Sequence, residues 1–529
     1  MKTIKRYSGI CSMWLAAVTS LATLSCADDW DNHYQGAPQP EKTIWETIES
    51  RPDLKDFADL LRKKGYDKYL NTTQRYTVWA PKGKIDTTLV TGQLMNEEEV
   101  LTQVVQNHIA RSLISASSIV NDTIRVLNGK RMPFVADESG SPYFNNVQVV
   151  ESNLMCSNGV LHIMDSQAGY NNNVWSYLRQ DGEFSGVSDY LYSFNKMVFD
   201  PDASTVGGVV NGEKVYTDSV FVLTNEKWNT LGYLNNESSD YVMLVPTNDA
   251  WEEAVGRFKT FFRYPDGVDP STSETYAKEA AVSNLVFDMK HQDKMGQNIW
   301  TSTYGFEFED PEGEGGIFSA VTDRIPCSNG TIYKTPVYPF DPYETYVETI
   351  VLEAENENLQ VSKKYCSEDD RPVFVSVANS GVSKSQYMKF TPSMTLRQSV
   401  VFALPGALSC KYDIGVVFVP LNLTRSGWVS NIDPKPTRVS FELDDGYTKP
   451  KLSVDDVEIP GTKIDTVWVT KGYEFPYCDY YPSREEATDT KNKLEITCEV
   501  RNNETSTYTR DMYIDCIVLK PTKEGGDNE

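Results

Sequence analysis

Cys156-Ser157-Asn158-Gly159-Val160-Leu161-His162 recurs later in the chain as Cys327-Ser328-Asn329-Gly330-Thr331-Ile332-Tyr333. Asn-Gly ahead of an apolar strand signals a tight hairpin, because both residue types tolerate positive φ. Upstream of each copy lies a short apolar strand stopped by proline, Tyr76-Thr77-Val78-Trp79-Ala80-Pro81 in one and Tyr241-Val242-Met243-Leu244-Val245-Pro246 in the other. Further upstream, Ile44-Trp45-Glu46-Thr47-Ile48 is echoed by Val174-Trp175-Ser176-Tyr177-Leu178, and the register persists through Leu54/Phe184, Phe57/Val187, Asp59/Asp189 and Leu61/Leu191. Spacings of three and four place these apolar positions on one helical face. Three matches in the same order predict two copies of one α+β domain, residues 43–168 and 172–336. The second copy needs nearly twice as many residues between its tryptophan and its proline. It therefore carries an insertion near residues 200–235, with a hairpin around Asn211-Gly212.

From about Tyr343 the pattern changes to short strands separated by turn residues. Residues 349–353, 373–377, 387–390, 400–404, 412–419, 438–443, 467–469, 494–500 and 513–519 all fit. Leu494, Ile496, Cys498 and Val500 alternate with Glu495, Thr497 and Glu499, as in a half-buried strand. With almost no helix among them, these strands predict an all-β sandwich over residues 337–523. The fold class is therefore multidomain, two α+β domains followed by a β-sandwich.

At the N-terminus, Lys2, Lys5 and Arg6 precede an apolar run that ends in Leu24-Ser25-Cys26. A basic region, an apolar stretch too short to span a bilayer comfortably and small residues before a cut predict an export signal over residues 1–25. The pattern resembles bacterial lipoprotein processing, which acylates the cysteine after the cut, here Cys26. Thr23 stands where that pattern usually has leucine. The acidic cluster Asp28, Asp29 and Asp31 resembles the signal that sends lipoproteins of Bacteroidota to the outer face of the outer membrane. A tether over residues 26–42 follows, marked by Gly36, Pro38 and Pro40.

The 529 residues are too many for one core. The formal charge is −25, and losing Lys2, Lys5 and Arg6 with the signal takes it to −28. Nucleic acid is thereby excluded as a partner, since phosphate binding depends on clustered Lys and Arg. Besides Cys11 and Cys26 there are seven cysteines, several inside apolar strand patterns, so most read as small buried hydrophobes rather than a disulfide framework.

The repeated motifs resemble the fasciclin domain family. Its pattern is an opening helix pair, a strand running into an "APTNDAF"-like motif, a helix carrying a histidine and a closing "NGxxHxxD" strand. Pro246-Thr247-Asn248-Asp249-Ala250-Trp251 matches the second element closely, whereas Pro81-Lys82-Gly83-Lys84 has lost it. Asn158-Gly159-Val160-Leu161-His162-Ile163-Met164-Asp165 matches the last element, and the stretch after Asn329-Gly330 matches in part. His108, on the helical run from Val104, takes the place of the family's helix histidine, which the second copy lacks. The resemblance implies a small sheet structure flanked by helices, with a role in adhesion or ligand binding.

His108 and His162 sit on apolar elements and read as structural histidines. His33 lies in the tether and His291 among polar residues of an exposed loop. There is no His-Glu-x-x-His run, Gly-x-Ser-x-Gly elbow or phosphate-cradling glycine loop, so no catalytic residue, cofactor or metal is assigned. Leu352-Glu353-Ala354-Glu355 and Tyr513-Ile514-Asp515-Cys516-Ile517-Val518-Leu519 resemble the first and last strands of jelly-roll carbohydrate-binding modules. By that resemblance Glu353, Glu355 and Asp515 are candidate ligands for a structural calcium, hard oxygen donors of the right kind. Trp428, Tyr447, Trp468, Tyr473, Tyr477, Tyr480 and Tyr481 are candidates for a sugar-stacking platform, with core and rim packing as the competing explanation. The expectation is a non-enzymatic lipoprotein on the outer face of the outer membrane that binds a glycan or peptide, as an accessory subunit of a TonB-dependent importer. The alternatives are an adhesin and, more distantly, a glycan-active enzyme.

Overall fold

The computed structural model describes residues 40–86, 97–210, 213–378, 380–480 and 489–523. Cys26, the export signal, the acidic cluster, His33, the Asn211-Gly212 turn and Tyr481 lie outside them. Two compact units are formed. One holds the chain through Gln180 together with Asn235–Ser238 and Cys327–Asn329, and the other holds the remainder.

In the first unit, Thr43 starts the helix Ile44–Glu49 with a capping box. Its hydroxyl accepts from the Glu46 N–H at 3.2 Å, and its own N–H donates to Glu46 Oε2 at 2.8 Å. The helix Lys55–Lys63 follows, burying Phe57, Ala58, Leu60 and Leu61. The strand Tyr76–Pro81 is buried along its whole length. It pairs in parallel with Gly159–Met164, from Tyr76↔Gly159 to Pro81↔Met164, and antiparallel with Ile109–Ala110. From Gly159–Met164 the sheet continues outward through Val147–Cys156, Pro142–Phe144, Arg131–Ala136 and Asn121–Arg125. Strand alternation sends Val78 and Ala80 into a core under the helices with Ile44, Phe57 and Val105, and sends Trp79 into a second core with Met132, Phe134 and Phe144.

The Asn-Gly motif works differently from the hairpin expectation. Cys156 pairs with Gly159, so the turn residues are Ser157 and Asn158, and positive φ is needed only at the glycine. A Cβ on Gly159 would lie 1.9 Å from the Tyr76 carbonyl oxygen, so the parallel neighbour strand demands glycine. Asn158 is freed to bond elsewhere. Its Oδ1 accepts the Ile44 N–H at 2.8 Å, and its Nδ2 donates to Leu70 O at 2.7 Å and Thr72 O at 2.9 Å.

In the second unit the same pairing recurs, Tyr241↔Gly330 through Pro246↔Thr335 in parallel, with Val286–Asp288 on the other edge of the Tyr241–Pro246 strand. Gly330 again meets a carbonyl, that of Tyr241, at 1.9 Å from an added Cβ. Asn248 clips the opening helices, donating to Gly182 O and accepting from the Gly186 N–H, each at 2.9 Å. The insertion is a two-stranded ribbon, Asn195–Val210 against Glu213–Asn225. It emerges after the helix Ser185–Tyr192, where the first unit has only the Lys64-Gly65 turn.

The C-terminal part of this unit is two β-sheets. One has the final strand Met512–Pro521 at its centre, flanked by Lys411–Phe418 on one side and by Gln386–Phe390 and Ile350–Glu353 on the other. The second runs Gln360–Lys364, Ser399–Ala403, Lys493–Cys498, Thr437–Asp444, Leu452–Ile459. Their inner faces meet through Phe390 against Phe402 at 6.0 Å and Phe418 against Phe441 at 6.4 Å between ring centroids. Each of the expected strands has a counterpart, although the one expected over 373–377 is only Pro372–Phe374. Gln360–Lys364 and Leu452–Ile459, at the two edges of the second sheet, are not among the expected strands; in the latter Leu452, Val454, Val457 and Ile459 alternate with exposed Ser453, Asp455 and Glu458, but a register shift near Asp456 interrupts the pattern. The seven described cysteines are free, and five of them are buried.

Candidate functional site

Glu353 ends the first strand of the sandwich and Asp515 lies in the last. Antiparallel pairing sets Glu353 opposite Cys516, and the Ala354 N–H donates to the Asp515 carbonyl at 2.9 Å. Far apart in sequence, Glu353, Asp515 and Cys516 thus bring ligand atoms within 4.8 Å of one another. Glu355 lies two residues beyond the end of this strand. A loop closes over the acids. The Ser383 N–H reaches both Asp515 carboxylate oxygens at 3.1 and 3.0 Å, its hydroxyl donates to Glu353 Oε1 at 2.7 Å, and Lys384 Nζ stands 3.4 Å from the same oxygen. Lys384 and Ser385 hold φ of 43° and 59°, a conformation non-glycine residues rarely adopt, so the loop is held under strain above the carboxylates.

Burial sets the electrostatics. Glu353 and Asp515 are 8% and 2% exposed. Burial first, then the neighbouring charges of Glu353 and Glu355, push the Asp515 carboxyl up to about 7 against the pull of the Ser383 N–H. Glu355 is also raised, by burial and by Glu353. The Oε2 atoms of Glu353 and Glu355 are buried and have no hydrogen-bond partner among the described residues. Burial and the same three acids raise the Cys516 thiol far above its ordinary range, and its soft sulfur is a poor match for a hard cation. What remains is a hard-oxygen set, the carboxylates of Glu353, Glu355 and Asp515 with the Ser383 hydroxyl. Orphaned acceptors and clustered like charges fit a calcium-type cation, which would neutralise the acids and tie the first strand of the sandwich to the last. The sequence nominates the three acids. Ser383 and Lys384 carry no motif, and only the closure of their loop brings them there.

The two buried histidines are structural. His108 lies just past the helix Glu97–Gln106 rather than on it. Its Nε2 accepts from the Ala168 N–H at 3.1 Å, which leaves the proton on Nδ1 to donate to Val104 O at 2.8 Å. His162 has the other tautomer, with Nδ1 accepting from the Asn153 N–H at 3.3 Å and Nε2 donating to Ile114 O at 3.0 Å. Burial holds both imidazoles down at about 4, neutral at physiological pH. His291 is exposed and paired with Asp288.

The aromatic residues considered for a stacking platform do not form one surface, although Tyr447, Tyr473 and Tyr477 gather near Asp445. Tyr480 packs on Phe262 and Tyr276, Tyr473 donates its hydroxyl to Asp445, and Tyr447 meets Tyr477. Trp468 belongs to the strand Asp465–Glu474, with its ring over Gly415, and remains 40% exposed. Packing between elements therefore accounts for several of them.

A fasciclin-domain family model matches residues 52–167. Among solved structures, the chain is similar to a FAS1 domain pair from the insect cell adhesion molecule Fasciclin I, at 15% identity and TM-score 0.21, covering 55% of this chain and 98% of that one. It is also similar to CBM35 from Paenibacillus barcinonensis, at 14% identity and TM-score 0.18, covering 33% and 99% respectively. A C-terminal family 22 carbohydrate binding module of Clostridium thermocellum matches at 11% identity and TM-score 0.17, covering 34% and 91%. No curated protein matches significantly. Residues 52–167 are a fasciclin domain.

Proposed function

We propose that this chain is a lipid-anchored binding or assembly protein of the outer face of the outer membrane, held there by Cys26. On this reading residues 43–168 and 172–336 are fasciclin-like supports, residues 337–523 are a carbohydrate-binding-module-like sandwich, and no part is an enzyme. The observation that carries the binding role is the inserted ribbon. Its cross-strand pairs Met197↔Leu223, Val198↔Val222 and Phe199↔Phe221 alternate between the two faces, so both faces carry apolar side chains. Met197 and Phe221 are 61% and 54% exposed, and Val198, Val206, Val222 and Leu223 are exposed as well. An isolated two-stranded ribbon with apolar residues in water on both faces is costly to keep, and such patches mark interaction surfaces. A TonB-dependent importer that passes glycans or peptides inward is the partner that suits an anchored accessory subunit. A photo-crosslinking residue placed at Phe221 tests this in whole cells. Capture of an importer supports the reading, capture of a surface molecule from another cell or from host matrix supports adhesion instead, and a probe that crosslinks only to its own chain overturns the ribbon's role.

A further inference from the structure

Lys130 lies in the first unit, between the turn residues Asn128-Gly129 and the strand Arg131–Ala136, and its side chain is only 1% exposed. A lysine is buried to this degree only when it is paired. Its Nζ donates to Glu237 Oε1 at 2.8 Å and to the Ser328 hydroxyl at 3.3 Å, with the Tyr170 ring centroid 4.4 Å away. The same Glu237 oxygen accepts from Asn173 Nδ2 at 2.9 Å, so an amine and an amide meet at one carboxylate atom. Glu237 Oε2 accepts the Ser328 hydroxyl at 2.7 Å, which holds the carboxylate in place. Asn173 directly precedes the helix Val174–Gln180, and its Oδ1 accepts the Ser176 N–H and the Ser176 hydroxyl, each at 2.8 Å. The backbone donor fixes which end of the amide is oxygen. All four residues belong to the first unit.

We propose that the Lys130 amine and the Asn173 side-chain amide join in an isopeptide bond, formed by the folded chain itself with release of ammonia. A helix cap alone accounts for the Ser176 contacts, and an ion pair alone accounts for Lys130. Neither requires amine and amide to share one carboxylate oxygen, and that is the arrangement a proton shuttle needs. Burial lowers the Lys130 pKa against the pull of Glu237, which favours the neutral, nucleophilic amine. Lys130 passes a proton to Glu237 Oε1, and the freed lone pair attacks Asn173 Cγ. Negative charge gathers on Oδ1, where the two Ser176 donors already point, as in an oxyanion hole. Glu237 then hands the proton to Nδ2 and the Cγ–Nδ2 bond breaks. The new amide keeps one of the three ammonium protons, and the other two leave with Nδ2 as ammonium, so no oxidant or other reactant is needed. Asn173 and Ser176 are 5% and 1% exposed, so water is kept from the reacting carbon. The bond encloses the strands from Arg131–Ala136 to Gly159–Met164 in a covalent loop, which restricts the unfolded chain as any cross-link does. The event happens once within each chain and is independent of the proposed binding role, so either can fail without the other.

The test is mass spectrometry of a tryptic digest of the full-length protein. Trypsin should spare the linked Lys130 and cut at Arg125, Arg131 and Arg179, so residues 126–131 and 132–179 should emerge as one branched peptide, lighter by one ammonia than the two apart. Glu237→Gln, which keeps the size of the side chain and removes the carboxylate, should abolish the branch, as should Asn173→Ala and Lys130→Arg. The wild-type digest decides the bond even where a variant fails to fold. Absence of the branched peptide, with residues 126–130 recovered as a linear peptide, would overturn the proposal and leave Lys130 and Glu237 as a buried ion pair. Loss of ammonia without a branch, as a succinimide at Asn128-Gly129 would give, overturns it too. An undiminished branch in Glu237→Gln overturns the shuttle.

Discussion

The side-chain oxygen of Asn158 accepts the backbone N–H of Ile44 at 2.8 Å, and Asn329 does the same for Val174, also at 2.8 Å. The opening helix of each repeat is thereby fastened to the turn before its closing strand. Asn158 also satisfies the Leu70 and Thr72 carbonyls, and Asn329 the Asn236 carbonyl. Asn158→Ala leaves a buried donor and buried acceptors unpaired, and should destabilise the first unit by roughly 2–4 kcal/mol. Urea unfolding is the measurement. A loss below about 1 kcal/mol would mean that water replaces the asparagine and that the fastening is incidental.

Acidification should affect the two units in opposite directions. His108 and His162 have folded values lowered to about 4 from an ordinary 6.5, so the folded state excludes a proton that the unfolded chain takes up. Their contribution is complete above 6.5 and is lost as pH falls toward 4, with a ceiling of about 3 kcal/mol for each. Asp515 is raised to about 7 from 3.8, so the folded sandwich gains stability as pH falls through that window. Hydrogen exchange read separately on Gly159–Met164 and Met512–Pro521 should show protection falling in the first and rising in the second between pH 7 and 5. Parallel changes in both would contradict this assignment.

Calcium should stabilise the sandwich, because the charges of Glu353, Glu355 and Asp515 are costly while uncompensated. At a hundred-fold excess over the dissociation constant the gain is about 2.7 kcal/mol. The Asp515→Asn variant should be the more stable protein without calcium and should lose the response to the ion. Melting curves with EDTA and with calcium decide it, and an identical calcium response in the variant places the ion elsewhere.

Attachment to the membrane should depend on Cys26. No helix among the described residues is long and apolar enough to cross a bilayer. If Cys26 carries the proposed lipid, Cys26→Ala should move the protein from the membrane to the soluble fraction. Replacing Asp28, Asp29 and Asp31 with alanine should leave it anchored but protected from protease added to whole cells. Retention of Cys26→Ala in washed outer membranes would refute the first expectation, and equal cleavage of wild type and triple variant the second.

Deleting the ribbon between Asn195 and Asn225 should leave the melting temperature within about 2 °C of wild type, since its apolar residues cover no core. Its base is closed by Asn225, whose Nδ2 donates to Leu191 O and Asn195 Oδ1, each at 2.8 Å. A large loss of stability would show that the ribbon is structural and not an interaction element.

Some of this was written locally. The repeat, the buried strands at Tyr76 and Tyr241 and the alternating strands from Ile350 to Leu519 are legible because burial on one or both faces imposes a pattern on neighbouring residues. Glu353 and Asp515 could be nominated because they sit in the first and last strands of the sandwich, and Glu355 because it comes just after the first. What tertiary structure alone decided depends on which distant segments meet. The glycine after Asn158 is required by the carbonyl of Tyr76 in a parallel neighbour, and not by a hairpin turn. Ser383 and Lys384 acquire a role only when their loop folds over Glu353 and Asp515. Register and convergence are relations between segments far apart in the chain, and local composition carries no record of them.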